Sequence, residues 1–237
     1  MKRSMNRPSP LATRIYLPLL VAGLVALATL AMSGRHADAQ THPARHAAIG
    51  SMQPTGVTAR QLAFRNAMRV LWEQHVAWTR MAIVSFAGDL PDLTATERRL
   101  LRNQTDIGNA IAPFYGTAAG HRLTALLRRH ILIAVDILVD VKAGDGTKLA
   151  ADSAAWTRNA NRIAAFLHGA NPDNWPLADM RSMMHRHLGL TTDEAVAELS
   201  GDYTSSVRAY DRVEREILGM ADMLSTGIIR QFPHRFG

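Results

Sequence analysis

The sequence predicts an all-α protein: a single up-and-down bundle of five to six helices behind an N-terminal export segment. Three observations carry that expectation. Apolar side chains recur every three or four residues through several long segments, the period of a helix with one buried face. No stretch alternates apolar and polar residues as a half-buried strand would, and no internal repeat is evident. Glycine and proline clusters divide the chain into helices of bundle length joined by short loops.

Residues 1–39 read as a signal peptide. Lys2, Arg3, Arg7 and Arg14 precede an apolar run from Ile15 to Met32, and Ala37-Asp38-Ala39 places small residues at the cleavage positions, with Gln40 first in the mature chain. The alternative is an uncleaved anchor over residues 15–32, a run at the edge of spanning length. Pro18 and the Ala-x-Ala ending favour cleavage, so the expected location is outside the cytoplasm: periplasmic, secreted or in the cell envelope. Residues 40–57, rich in Ala, Gly, Pro, Thr and His without a period, read as a flexible leader, with His42 and His46 solvated. Residues 58–233 form the bundle domain.

The first helix should run from about Thr58 to Phe86, with Phe64, Met68, Leu71, Trp72, Trp78, Ala82 and Phe86 on one stripe, and end at Gly88-Asp89-Leu90-Pro91. Thr94 or Thr96 is expected to cap the second, whose inner side holds Leu100, Ile107 and Ile111 but not Asp106. Pro113-Phe114-Tyr115-Gly116 should break it. A third helix over about Thr117–Ala143 buries Leu123, Leu127, Ile133 and Leu138, leaving Asp136 and Asp140 outside its stripe. A fourth, about Leu149–Leu167, buries Trp156, Ile163 and Phe166. After the turn Asn171–Pro176 a short helix presents Met180, Met183, Met184 and His187 on one face, and the last helix is expected to start at Thr191 or Thr192 and continue to about Gln231. Its stripe includes Tyr210, Val213, Ile217 and Leu224, with Glu214 at the edge and Asp222 well away.

Composition excludes several functions. The formal charge of +7 is concentrated at the front: residues 1–39 hold five Lys or Arg and one Asp, leaving 22 basic against 19 acidic side chains behind them. That balance is interspersed, with no basic stripe carrying aromatic stacking partners, so nucleic-acid binding is not expected. Membrane contact is expected only through the N-terminal segment, if it stays uncleaved. Cysteine is absent, which removes disulfides, thiolate metal sites and cysteine nucleophiles. Motifs for a phosphate loop, a zinc protease, a di-iron carboxylate bundle and a serine nucleophile elbow are all missing.

What remains is a set of polar residues at core-facing positions. His75, His130, Asn159 and His187 each lie mid-stripe on a separate helix, with Glu214 as a possible fifth member. A dehydrated imidazole needs a hydrogen-bond partner, a metal or a ligand. Facing helices of a bundle deliver such groups to one point, so His75, His130 and His187 are candidate ligands for zinc, copper or iron(II), with Trp72, Trp78, Asn159 and Glu214 lining the site. The alternative is four groups satisfied separately in a structural or interaction protein of the envelope. An enzyme is the third reading, with no catalytic residue nominated. The methionines near His187, with Met220 and Met223, could suit copper, but helical spacing explains them as packing.

At Trp72-Glu-Gln-His75-Val-Ala-Trp78-Thr-Arg80, with Leu101-Arg-Asn103, Phe114-Tyr-Gly116, His130, Asn171-Pro172 and Met220-Ala-Asp222-Met223, the chain resembles a family of small bacterial helical proteins, exported or made by spore formers. Labels such as acetylglutamate kinase or glycosyltransferase circulate for that family, without an established activity. The resemblance covers nearly all of residues 60–233. It implies that His75, Arg80, Asn103, Asp106, His130, Asn159, His187 and Asp222 matter as a set, and Asp106 and Asp222 are expected to pair with arginines such as Arg80. The labels themselves would demand a glycine-rich phosphate cradle on an α/β frame, which this sequence does not contain.

Overall fold

The computed structural model describes residues 56–237, and every regular element among them is helical. The expected signal peptide and residues 40–55 of the leader lie outside the described residues. Helix α1 (Ala59–Ala87) starts as its sequence predicts: Thr58 accepts the Gln61 backbone N–H and its own N–H donates to the Gln61 side chain. Helix α2 (Leu93–Tyr115) begins after Asp92 instead of at Thr94 or Thr96, and Thr96 Oγ1 turns back onto the Asp92 carbonyl at 3.1 Å. Pro113 does not break it. The ring falls in the last turn, where it removes one backbone donor, and the helix ends two residues on at Tyr115, with Gly116 as its C-cap. Helices α3 (Thr117–Ala143) and α4 (Gly146–Ala170) meet at a tight turn, with Asp145 accepting the Lys148 N–H as a cap. Asp140, expected outside the stripe, is buried there: the first turn of α4 brings Lys148 to within 3.0 Å of it.

The main departure lies in the last third. Helix α5 (Leu177–Leu199) runs straight through Thr191 and Thr192, and α6 (Tyr203–Gln231) starts afresh after Ser200-Gly201-Asp202. Gly201 takes φ 77°, a region open to glycine, and Asp202 caps the next helix by accepting from Ser205 N–H. Thr192, offered by the sequence as a cap, instead bonds to the Leu188 carbonyl one turn back, at 2.8 Å. A short 3-10 turn, Pro233–Arg235, follows α6.

Each helix packs on its neighbours in the chain, and α6 returns against α1, so the six close into a ring. The short linkers make successive helices antiparallel, as an up-and-down bundle requires. One large apolar cluster spans all six helices, from Met68 and Trp72 to Leu224 and Ile228; a smaller one holds Ala82, Leu100 and Ile131, with Trp78 and Leu101 against it. Met180, Met184 and Met220 belong to the large cluster, which is the packing role their spacing predicts.

Helices α2 and α3 cross at bare backbone. A Cβ on Gly108 would lie 2.5 Å from the Gly120 carbonyl oxygen and overlap Thr124 Oγ1, and one on Gly120 would lie 2.7 Å from the Gly108 oxygen. Alanine should favour a helix interior over glycine by about 1 kcal/mol. Here Gly108→Ala is expected instead to destabilise, by about 1–3 kcal/mol from overpacking, read as a lowered denaturation midpoint. A raised midpoint would show that the helices can part without cost.

Candidate functional site: a histidine layer in the core

His75, His130 and His187 are each 3–5 % exposed, and each is anchored through Nδ1 to the next helix along the chain. His75 on α1 meets Gln104 Nε2 on α2 at 3.1 Å, His130 on α3 meets Asn159 Oδ1 on α4 at 3.0 Å, and His187 on α5 meets Glu216 Oε2 on α6 at 3.2 Å. In all three pairs the partners are 29 residues apart. The likeness extends along the helices. Seven and three residues before each histidine stand buried apolar side chains, Met68 and Trp72, Leu123 and Leu127, Met180 and Met184, and directly after it come Val76, Ile131 and Leu188. Asn103 donates to the Leu71 carbonyl and Asn159 to that of Leu126, each four residues before a histidine, at 3.0 and 3.2 Å. The ring is therefore three helical hairpins built to one plan, each placing its histidine at the same level.

The rings come together in the core. Ring centres lie 5.8 Å apart for His75 and His187, and 6.2 Å for His130 and His187. Trp72 sets its edge against His75 at 5.9 Å, and Trp156 stacks on His130 at 5.1 Å while its N–H donates to the His130 carbonyl.

The anchoring bonds decide where the protons sit. Asn159 uses its amide N–H on Leu126, so its oxygen faces His130 and must accept; Glu216 likewise only accepts. His130 and His187 therefore carry a proton on Nδ1, and when neutral each has its lone pair on Nε2. His75 is the reverse. Gln104 Nε2 also donates to the Leu100 carbonyl at 2.8 Å and faces Asn103 Oδ1 at 3.2 Å, so it is the donor, His75 Nδ1 accepts, and the proton sits on Nε2. The layer thus offers two imidazole lone pairs and one N–H. Beside it, Trp72 Nε1 and Gln104 Oε1 are buried without a hydrogen-bond partner, an unspent donor and an unspent acceptor.

Burial disfavours the charged form of His75 and His130. It pushes His75 well below the ordinary imidazole range, aided by the neighbouring His187 and His130, and it takes His130 down to about 3, with His187 next in effect and the Asn159 bond opposing. Neutral imidazole whose Nδ1 is held by an oxygen is the state that ligates a metal through Nε2.

Two residues expected at this site lie elsewhere. Trp78 sits about 60° further round α1 than His75, on the side toward α2, where it packs on the small cluster and under Arg99 at 5.2 Å. Trp156 supplies the second aromatic wall in its place. Glu214 is turned about 100° from Val213, toward Tyr210, while Glu216 falls on the α5 side and takes the contact to His187. The acidic pair highlighted by the family resemblance does bond arginines, but not Arg80: Asp222 meets Arg69 at 2.5 Å and Asp106 meets Arg99 at 3.8 Å.

Arg80 instead anchors a second buried network. Its guanidinium reaches Glu194 at 3.1 Å and Glu198 at 3.3 Å on α5, donates to Ser206 Oγ on α6, and lies over the Tyr210 ring at 5.7 Å. Ser206 donates its own O–H to Glu198 Oε2 at 2.5 Å. Burial raises Glu194 to about 7 even against Arg80, with the Glu198 charge adding to the rise. Sequence reading missed this pair because both glutamates fell in what looked like the first two turns of a new helix, at Thr191 or Thr192.

Among the described residues no group of three or more His, Asp or Glu side chains is placed, as it stands, to hold a metal ion, and no helix is long and apolar enough to cross a membrane. Fold and site together define a class of architecture: a ring of three helical hairpins with one inward, amide- or carboxylate-tethered histidine apiece. Comparison with protein-family models, with curated proteins and with solved structures finds no match.

Proposed function

We propose that this chain is an exported binding protein whose histidine layer takes up a transition-metal ion, zinc, copper or iron(II), through Nε2 of His130 and His187, with His75 as third ligand. The observation that carries this reading is the repeated tether, which holds Nδ1 of His130 and His187 on an oxygen acceptor and turns Nε2 of each away from it. At metal–nitrogen lengths of 2.0–2.1 Å, ring centres around a tetrahedral ion would lie about 5 Å apart. The rings stand at 5.8 and 6.2 Å, so uptake would draw them together; the His75 proton would move to Nδ1 and the Gln104 amide would turn its unpartnered Oε1 to accept it. Trp72 Nε1 holds a spare donor for a water on the ion.

A second reading has an observation of its own. Every Nδ1 is already satisfied within its hairpin, which suits histidines that only fix helix register in an envelope protein without a ligand. Metal analysis of untagged protein after dialysis against zinc, copper(I) or iron(II) separates the two. The metal reading expects one ion per chain in the wild type, a raised melting temperature with metal, and loss of both in His130→Ala/His187→Ala. Equal metal content in the two proteins would overturn it.

A further inference from the structure

The odd-numbered helices run in one direction, and one turn beyond each histidine they open on a cavity of about 340 Å³. Thr79, Ala134 and Thr191, each four residues after a histidine, line it, together with Trp156 and Leu188, which also border the histidine layer. Its volume falls in the range of small-molecule sites, at roughly 300–1,000 Å³. None of the residues lining it is charged, and its hydroxyls are mostly spent: Thr79 bonds to the His75 carbonyl, Thr157 to that of Ser153 and Thr192 to that of Leu188.

Thr191 is the exception. It is 7 % exposed, it lines the cavity, and its Oγ1 has no hydrogen-bond partner. A buried hydroxyl without a partner costs stability, and this one, unlike the exposed Ser153 hydroxyl that also borders the cavity, can gain a hydrogen bond only from a guest inside. A charged guest would have to shed its water against apolar walls with no counter-charge.

We propose that this cavity is a binding site for a small, uncharged, mainly hydrocarbon molecule whose one hydroxyl or carbonyl oxygen bonds to Thr191 Oγ1. At roughly 30 Å³ per heavy atom the space admits about ten of them. The site is separate from the histidine layer and needs no metal there.

The test is a fluorescence titration of the full chain with azulene, an uncharged hydrocarbon small enough for this volume that quenches tryptophan emission, Trp156 being part of the lining, followed by displacement with 1-octanol and with octanoate at pH 7.5. Saturable one-to-one binding is expected, with 1-octanol displacing the probe at concentrations at least tenfold below octanoate. Ala195→Phe fills the cavity and should weaken the probe at least tenfold while circular dichroism stays helical. Thr191→Val keeps the shape and removes the hydroxyl, so it should leave the probe in place and weaken 1-octanol three- to tenfold. Absence of saturable binding, equal displacement by octanoate, or unchanged probe affinity in folded Ala195→Phe would each overturn the proposal. If Ala195→Phe does not fold, unchanged 1-octanol affinity in Thr191→Val does so alone.

Discussion

Arg80→Ala is expected to cost about 3–5 kcal/mol of unfolding free energy, the range for removing one member of a buried ion cluster. Glu194 is 1 % exposed and Glu198 7 %, and both would lose the cation that holds them. The loss comes less from the missing attraction than from two carboxylates left dehydrated side by side. Arg80→Met combined with Glu194→Gln and Glu198→Met should therefore recover most of it, since an apolar replacement removes the charges along with their partner. Urea denaturation checks both variants. An Arg80→Ala cost below about 1 kcal/mol, the scale of an exposed pair, would mean that water reaches the network.

Acid should act on the fold through two opposed groups. His75 and His130 have folded pKa values lowered from the ordinary 6.5, so they contribute stability that is present above pH 6.5 and lost as pH falls toward their folded values. For His130, with a folded value of about 3, the loss between pH 7 and pH 4.5 is about 2–3 kcal/mol, and His75 adds in the same direction. Glu194 runs the other way. Its folded value is raised from 4.5 to about 7, so its contribution is present below pH 4.5 and lost as pH rises through 7. Glu194 offsets roughly one of the two histidines, so the wild type should fall only gently between pH 6.5 and 5 and more steeply below. Glu194→Gln removes the compensating group and should decline from about pH 6.5 onward. Denaturation midpoints measured at half-unit steps from pH 7.5 to 4 decide this; parallel curves for the two proteins would refute the assignment.

Much of the bundle was legible because helical period reports which side of a segment faces inward. It found His75, His130, His187 and Asn159 as inward polar groups, and all four are buried. It could not report which inward groups touch. The partners of the three histidines are Gln104, Asn159 and Glu216, three residue types that share no sequence pattern, so the hairpin repeat leaves almost no trace in the chain. Period is also coarse near the edge of a stripe: Trp78 and Glu214 were placed at the site by an angle that, at 100° per residue, belongs to the neighbouring contact. In the last third Thr191-Thr192 reads as a helix start, and the sequence reading passes over Gly201-Asp202, where the helix does begin. Local chemistry allowed both, and the unbroken packing of α5 onto α4 and α6 selected the second.

The closed ring has a kinetic consequence. Every interface between successive helices joins segments near one another in the chain, whereas the seam where α1 meets α6 and α5 must bring together its two distant ends. Loop closure therefore weighs on that seam far more than on the hairpins, and a chain with such local contacts should fold quickly, hairpin by hairpin, with the seam sealed last.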